Sequence, residues 1–199
     1  MSVITPEPHL LSAQRWRGLR IGILGGSFNP PHAGHLHIAK LAMTKFKLDA
    51  VWWLVSPGNP LKGNPKGDLQ KRLKLVRDFI ADQPRMTASD IEAQMGTRFT
   101  YDTVAGLSKH FPQTKFLWIA GMDNAQKFDQ WQNWQDLPNL MPFAFYDRPG
   151  GAKLKAGKLK QNKAIPQRKK IKKLKPGVYW IMNGAALDLS STALRQRGD

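Results

Sequence analysis

Three short runs of this chain are apolar almost without interruption: LRIGILGG at 19–26, AVWWLVS at 50–56 and TKFLWIAG at 114–121. A strand with one wet face alternates apolar and polar residues, so an unbroken apolar run of this length calls for a strand covered on both faces. The first two runs are each followed by residues with helical spacing. HAGHLHIAKLAMTKF places Leu36, Ala39, Met43 and Phe46 on one face, and DLQKRLKLVRDFIA does the same with Leu69, Leu73, Val76 and Ile80, with Asp68 positioned to cap that helix. TYDTVAGLSKHF reads as a further short helix, MPFAFYDR and GVYWIMN as further strands, and LSSTALRQR as a cap followed by one or two helical turns. Strands alternating with helices imply an α/β fold: a doubly wound, Rossmann-like parallel sheet with helices on both faces.

A length of 199 residues suits one domain rather than two. We expect an N-terminal arm over 1–19 and a single domain over 20–199, with a basic insertion at about 151–175. MSVITPEPHLLSAQRWRG has no continuous apolar core ahead of a small-residue cleavage site, so it does not read as a signal peptide. No apolar run reaches the length of a membrane span. With no cysteine, disulfides, thiolate metal sites and a thiol nucleophile are excluded, and a cytoplasmic location fits.

The net charge is +17, but it is unevenly spread. No acidic residue lies between Asp147 and Asp188, and residues 151–175 hold eleven Lys or Arg; the remainder carries 20 bases against 14 acids. The extreme charge is therefore a local property of GGAKLKAGKLKQNKAIPQRKKIKKLK, a low-complexity insertion between two strands. A second interruption, PGNPLKGNPKG at 57–67, is too long and too rich in Pro, Gly and Asn for a tight connection and reads as a functional or mobile loop.

The first apolar strand runs directly into GGSFNPPHAGH at 25–35. In a doubly wound fold the carboxyl end of the first strand is where a ligand binds. Gly25 and Gly26 would allow an anion close to the backbone, and the helix that follows presents free N–H groups and the positive end of its dipole. Neither common phosphate fingerprint is present, neither G-x-x-x-x-G-K-[ST] nor G-x-G-x-x-G. His32 and His35 stand in for the usual lysine and, three residues apart at a helix start, can face one point and donate to phosphate oxygens. They could also serve as metal ligands, although no third ligand lies at an obvious spacing.

GGSFNPPHAGH resembles the G-x-F-[DN]-P-x-H-x-G-H signature of the nucleotidyltransferase superfamily, and LSSTALRQR resembles its second signature, I-S-[SA]-T-x-[IL]-R. Asn29 takes the position where aspartate is often found. The double glycine, TYDTV at 100–104, WIAGMDNAQKFDQWQNW at 118–134 and DRPG at 147–150 resemble the bacterial nicotinate-nucleotide adenylyltransferase branch. The resemblance implies transfer of AMP from ATP to nicotinate mononucleotide, giving deamido-NAD and pyrophosphate, with Mg²⁺ accompanying ATP. It implies catalytic roles for His32, His35 and Arg195. ATP would be held by Gly25, Gly26, Ser27, Phe28, His32, His35, Lys40, Ser190, Ser191, Thr192 and Arg195. The acceptor would be held by Phe99, Thr100, Asp123 and Trp131.

Several of these residues have a second reading. Lys40 is either a phosphate contact or a solvated lysine on a helix face, Asp123 either fixes the nucleotide or caps a helix, and Trp131 either stacks on the pyridine or packs in the core. Another member of the superfamily, such as a pantetheine-phosphate adenylyltransferase or a cytidylyltransferase, satisfies both signatures. The basic charge suggests a rival in nucleic-acid binding, but no nucleic-acid-reading motif accompanies it, and anionic substrates also gain from positive steering.

Overall fold

In a computed structural model the described residues are 5–58, 68–146, 164–165, 171 and 173–181. Seven strands are found among them: β1 (Arg20–Gly26), β2 (Ala50–Val55), β3 (Met86–Ser89), β4 (Lys115–Gly121), β5 (Phe143–Tyr146), β6 (Ala164–Ile165) and β7 (Val178–Ile181). They form one sheet in the order β3-β2-β1-β4-β5-β7-β6, and every pairing is parallel. The longer helices are α1 (Ala33–Phe46), α2 (Leu69–Phe79) and α4 (Thr100–His110). Shorter ones are α3 (Ile91–Met95), α5 (Met122–Ala125) and α6 (Leu137–Leu140).

Successive residues of each strand point to opposite faces, and the two faces have separate cores. Val51, Trp53 and Val55 of β2 pack with Leu24, Leu117 and Ile119 beneath Ala39, Ala42, Met43 and Phe46 of α1 and Leu73 and Val76 of α2. Trp52 and Leu54 point the other way and pack with Ile21, Ile23, Phe116 and Trp118 against Ile91 of α3, Val104 and Leu107 of α4, and Leu137 of α6. This is why AVWWLVS carries no polar alternation: all six residues of β2 are buried. The doubly wound sheet with helices on both faces is the architecture expected from the alternation of apolar runs.

The differences are local. β3 has no unbroken apolar run, because buried Thr87 and Ser89 alternate with Met86 and Ala88, and its strand character comes from pairing with β2. Asp68 occupies the N-cap position of α2 but makes no side-chain capping hydrogen bond. The helix expected at LSSTALRQR lies outside the described residues, as does most of the basic insertion.

Residues 1–19 were expected to form an arm, and the described part of it packs on the domain. A 3₁₀ helix at Leu10–Trp16 carries Trp16 into the second core, edge-on to Trp52 with ring centroids 4.9 Å apart. Thr114 Oγ1 donates to Trp16 O at 3.0 Å, Leu10 N donates to Gln94 Oε1 at 3.2 Å, and Arg77 pairs with Glu7. Trp16 is 2% exposed, so Trp16→Ala should cost about 3 to 5 kcal/mol, the range for deleting a large core aromatic. Urea denaturation would measure it, and a loss below about 1 kcal/mol would mean that the arm is peripheral to the core.

Candidate functional site

From β1 the chain proceeds outward through β2 to β3, then returns to β4 on the other side of β1. The strand order therefore reverses between β1 and β4, and since all strands are parallel, the crevice beyond their carboxyl ends is where an open α/β sheet takes its ligand. Gly25 and Gly26 end β1 at that point, and Gly121 ends β4 beside it.

The conformation of the glycine loop is determined largely by rings of the same chain. A Cβ on Gly25 would lie 2.8 Å from Trp118 Cζ2, and one on Gly26 would lie 3.1 Å from the Phe28 ring. Phe28 itself adopts a φ of 45°, in the left-handed region that few side chains enter. Its ring is buried and packs against Trp53 at 5.2 Å and edge-on to His35 at 5.0 Å. Burial of an aromatic thus offsets the backbone strain and presents Ser27 and the neighbouring backbone at the rim.

His32 and His35 meet at the start of α1. Their rings stack with centroids 3.7 Å apart and an interplanar angle of 29°. His32 is the N-cap residue and is buried, and its backbone N–H donates to His35 Nδ1 at 3.3 Å. With Nδ1 accepting, the neutral His35 ring carries its proton on Nε2 and is a donor there. His35 N donates to His32 O at 2.9 Å, which leaves the N–H groups of Ala33 and Gly34 at the start of α1 to join the two imidazoles in a donor set suited to an anion. Lys40 is exposed two turns along α1, roughly 10 Å from the helix start. Among the described residues, no group of three or more His, Cys, Asp or Glu could hold a metal ion.

On the β4 side, α5 begins directly after Gly121, which is its N-cap; Asp123 lies exposed in the first turn and is not the cap. Trp131 is half-buried, with ring contacts to Trp118 at 6.4 Å, Phe128 at 5.4 Å and Phe143 at 6.4 Å. It is packed against the core along part of its ring and is otherwise open. Phe99 is the N-cap of α4 and is 41% exposed; Thr100 is the first helical residue. Ser190, Ser191, Thr192 and Arg195 lie outside the described residues.

Two buried polar groups hold these pieces and were not anticipated. Arg72 is 2% exposed, and its Nη1 donates to Ser56 O at 2.7 Å and to Ser27 O at 3.1 Å, tying the loop after β2 to the loop after β1. Burial lowers its pKa, opposed by the Asp68 carboxylate. The signal was present in the sequence, since position 72 falls inside the apolar stripe of Leu69, Leu73 and Val76, where a solvated arginine has no place. Glu92, on α3, is also buried; Thr103 Oγ1 donates to its Oε1 at 3.0 Å, and the Ser56 side chain is a further hydrogen-bond partner. No periodicity in SDIEAQ marks it.

The chain belongs to the cytidylyltransferase-like family, whose model matches residues 23–197. The relatives it is similar to include a protein of Ruegeria sp. (strain TM1040) named "Probable nicotinate-nucleotide adenylyltransferase", 40% identical over 90% of this chain and 98% of the relative. A protein of the same name from Cereibacter sphaeroides (strain ATCC 17025 / ATH 2.4.3) is 41% identical over 89% of this chain and 97% of the relative. Among solved structures, Plasmodium falciparum nicotinic acid mononucleotide adenylyltransferase complexed with NaAD matches with a TM-score of 0.69 at 19% identity, covering 89% of this chain and 83% of that one. At that identity the likeness speaks for the fold.

Burial pushes the Glu92 carboxyl up to about 7, with the Thr103 and Ser56 hydrogen bonds opposing the rise. A carboxyl that binds its proton more tightly folded than unfolded stabilises most below its unfolded pKa, and that contribution is lost as pH rises to about 7. Between pH 5 and pH 8 the wild-type protein should lose on the order of 2 kcal/mol relative to Glu92→Gln, whose amide does not titrate. Denaturation of both proteins at the two pH values would measure this; parallel pH dependences would rule out a raised Glu92 pKa.

Proposed function

We infer that this chain is a nicotinate-nucleotide adenylyltransferase, transferring AMP from ATP to nicotinate mononucleotide to give deamido-NAD and pyrophosphate in cytoplasmic NAD biosynthesis. One observation carries the reading. The stacked His32–His35 pair heads α1 at the switch point of the sheet, in a chain about 40% identical to relatives of that name over nearly its whole length.

In the reaction an oxygen of the acceptor phosphate forms a bond to the α-phosphorus of ATP. The bond from that phosphorus to the bridging oxygen breaks, and its electron pair leaves on pyrophosphate. A phosphate monoester carries nearly two negative charges at neutral pH, so no general base is needed. What the protein supplies is alignment and stabilisation of developing charge. His35 Nε2–H and the His32 ring would donate to phosphate oxygens beside the first-turn N–H groups of α1, with the backbone of Gly25, Gly26, Ser27 and Phe28 against the nucleotide. Ser190, Ser191, Thr192 and Arg195 would grip the β and γ phosphates, with Lys40 adding charge from the helix face. Mg²⁺ enters as part of the ATP substrate, since it binds mainly through phosphate oxygens and water; the imidazoles and N–H groups at this site suit phosphate rather than a hard cation.

For the acceptor, the first-turn N–H groups of α4, beginning at Phe99 and Thr100, would receive the nicotinate carboxylate. The open face of Trp131 is suited to the pyridine ring and Asp123 to the nucleotide. Nicotinamide lacks the carboxylate and would lose that charge-assisted contact.

A pyrophosphate-release assay with nicotinate mononucleotide, nicotinamide mononucleotide and phosphopantetheine should give turnover chiefly with the first; no turnover with it sinks the assignment. His35→Ala should lower kcat at least a hundredfold with an unchanged circular dichroism spectrum, the usual cost of removing an oxyanion donor being about 10²- to 10³-fold. A rate near that of the wild type would make the imidazole structural.

A further inference from the structure

The acceptor turn ahead of α4 is held to the nucleotide loop by one buried side chain. Glu92 stands on α3, which connects β3 to that turn, and is 7% exposed. Its carboxyl accepts from Thr103 Oγ1 at 3.0 Å; that same Oγ1 lies 2.9 Å from Thr97 Oγ1 and 3.1 Å from Phe99 O. Thr97 N donates in turn to Glu92 O at 2.9 Å. Both ends of the turn are therefore stitched to residue 92.

On its other side Glu92 reaches the Ser56 side chain. Ser56 N donates to Gly26 O at 3.0 Å, and Ser56 O shares the Arg72 guanidinium with Ser27 O. Hydrogen bonds thus join Gly26 and Ser27 to Ser56 and Arg72 on one side and Glu92 to Thr103, Thr97 and Phe99 on the other, with the Ser56 side chain, whose hydroxyl donates to Gly58 O at 2.6 Å, against the Glu92 carboxyl between them. An apolar residue would fill this depth of core at less cost than a carboxyl, which must be desolvated. What the carboxyl adds is directional bonds to two different segments, and hence a fixed registry between them.

We propose that Glu92 is a positioning residue for the acceptor: by tying the Thr97–Phe99 turn to Ser56, it holds the first-turn N–H groups of α4 at a set distance from the phosphate loop. It thereby governs affinity for the acceptor carboxylate and not for ATP. The proposal rests on the adenylyltransferase reading and extends it to a residue outside both signatures.

The test is steady-state pyrophosphate release with each substrate varied, on wild type, Glu92→Ala, Glu92→Gln and Thr103→Val. Glu92→Ala should raise KM for nicotinate mononucleotide tenfold or more while KM for ATP stays within twofold. Glu92→Gln should recover most of that loss, because its amide oxygen still accepts from Thr103 and its nitrogen can donate to Ser56. Thr103→Val, which preserves side-chain shape, should move the acceptor KM in the same direction, and the Glu92→Ala/Thr103→Val double variant should be no worse than Glu92→Ala. An acceptor KM within twofold of wild type in both single truncations overturns the proposal, as does an equal rise in both KM values. Should Glu92→Ala fail to fold, as judged by circular dichroism, Thr103→Val decides. Absence of turnover by the wild type with nicotinate mononucleotide defeats the functional reading itself, and is distinct from turnover that the variants leave unchanged.

Discussion

The central position of β1, paired in parallel with β2 on one edge and β4 on the other, constrains the rest of the molecule. A strand in that place has both edges and both faces taken, so its backbone polar groups are satisfied by its neighbours until the strand ends. At its carboxyl end the pairing stops, the chain turns at Gly25 and Gly26, and the N–H groups of α1 open toward the crevice. Polar capacity left over at that one location makes it the natural site for an anion. The unbroken apolar runs and the glycine loop are thus consequences of the same topology.

The loops at this rim have little local structure of their own, and their shape is maintained from beneath. Phe28 buries its ring to hold a left-handed backbone in place. Arg72 joins the loops after β1 and β2 through two carbonyl oxygens, and Glu92, beside Ser56, accepts a hydrogen bond from Thr103 of α4. Each tie places a costly polar group in a core, which is worthwhile only where position counts for more than stability. A reaction that needs no base asks for just this, since two anionic substrates must be aligned to within a fraction of an ångström.

The net charge of +17 has a modest place in this account. Most of it belongs to residues 151–175, and the remaining excess suffices to favour approach of a triphosphate and a phosphorylated acceptor. Charge of this sort raises encounter rates and does not define a site. The candidate site is built from imidazoles and backbone N–H groups at the carboxyl end of β1, which a count of Lys and Arg does not register.

Local pattern in the sequence was enough for the α/β class, for five of the strands, for α1, α2 and α4, and for the glycine loop with its two histidines at the end of β1, because each is encoded by residues close together in the chain. β3 was not legible, since its strand character rests on pairing with β2 and two of its four residues are polar. Trp16 gave no sign that it would stand against Trp52, a contact between segments 36 residues apart. Arg72 could have been noticed as a charge inside an apolar stripe; Glu92 could not, because its partners Ser56 and Thr103 lie on two other segments. The sequence by itself thus determined the class of fold and the place of the histidine-bearing loop at the end of β1, through periodicity and short-range spacing. Tertiary structure alone decided which polar side chains were buried and what they joined, because a buried hydrogen bond between distant segments leaves no periodic trace in the chain.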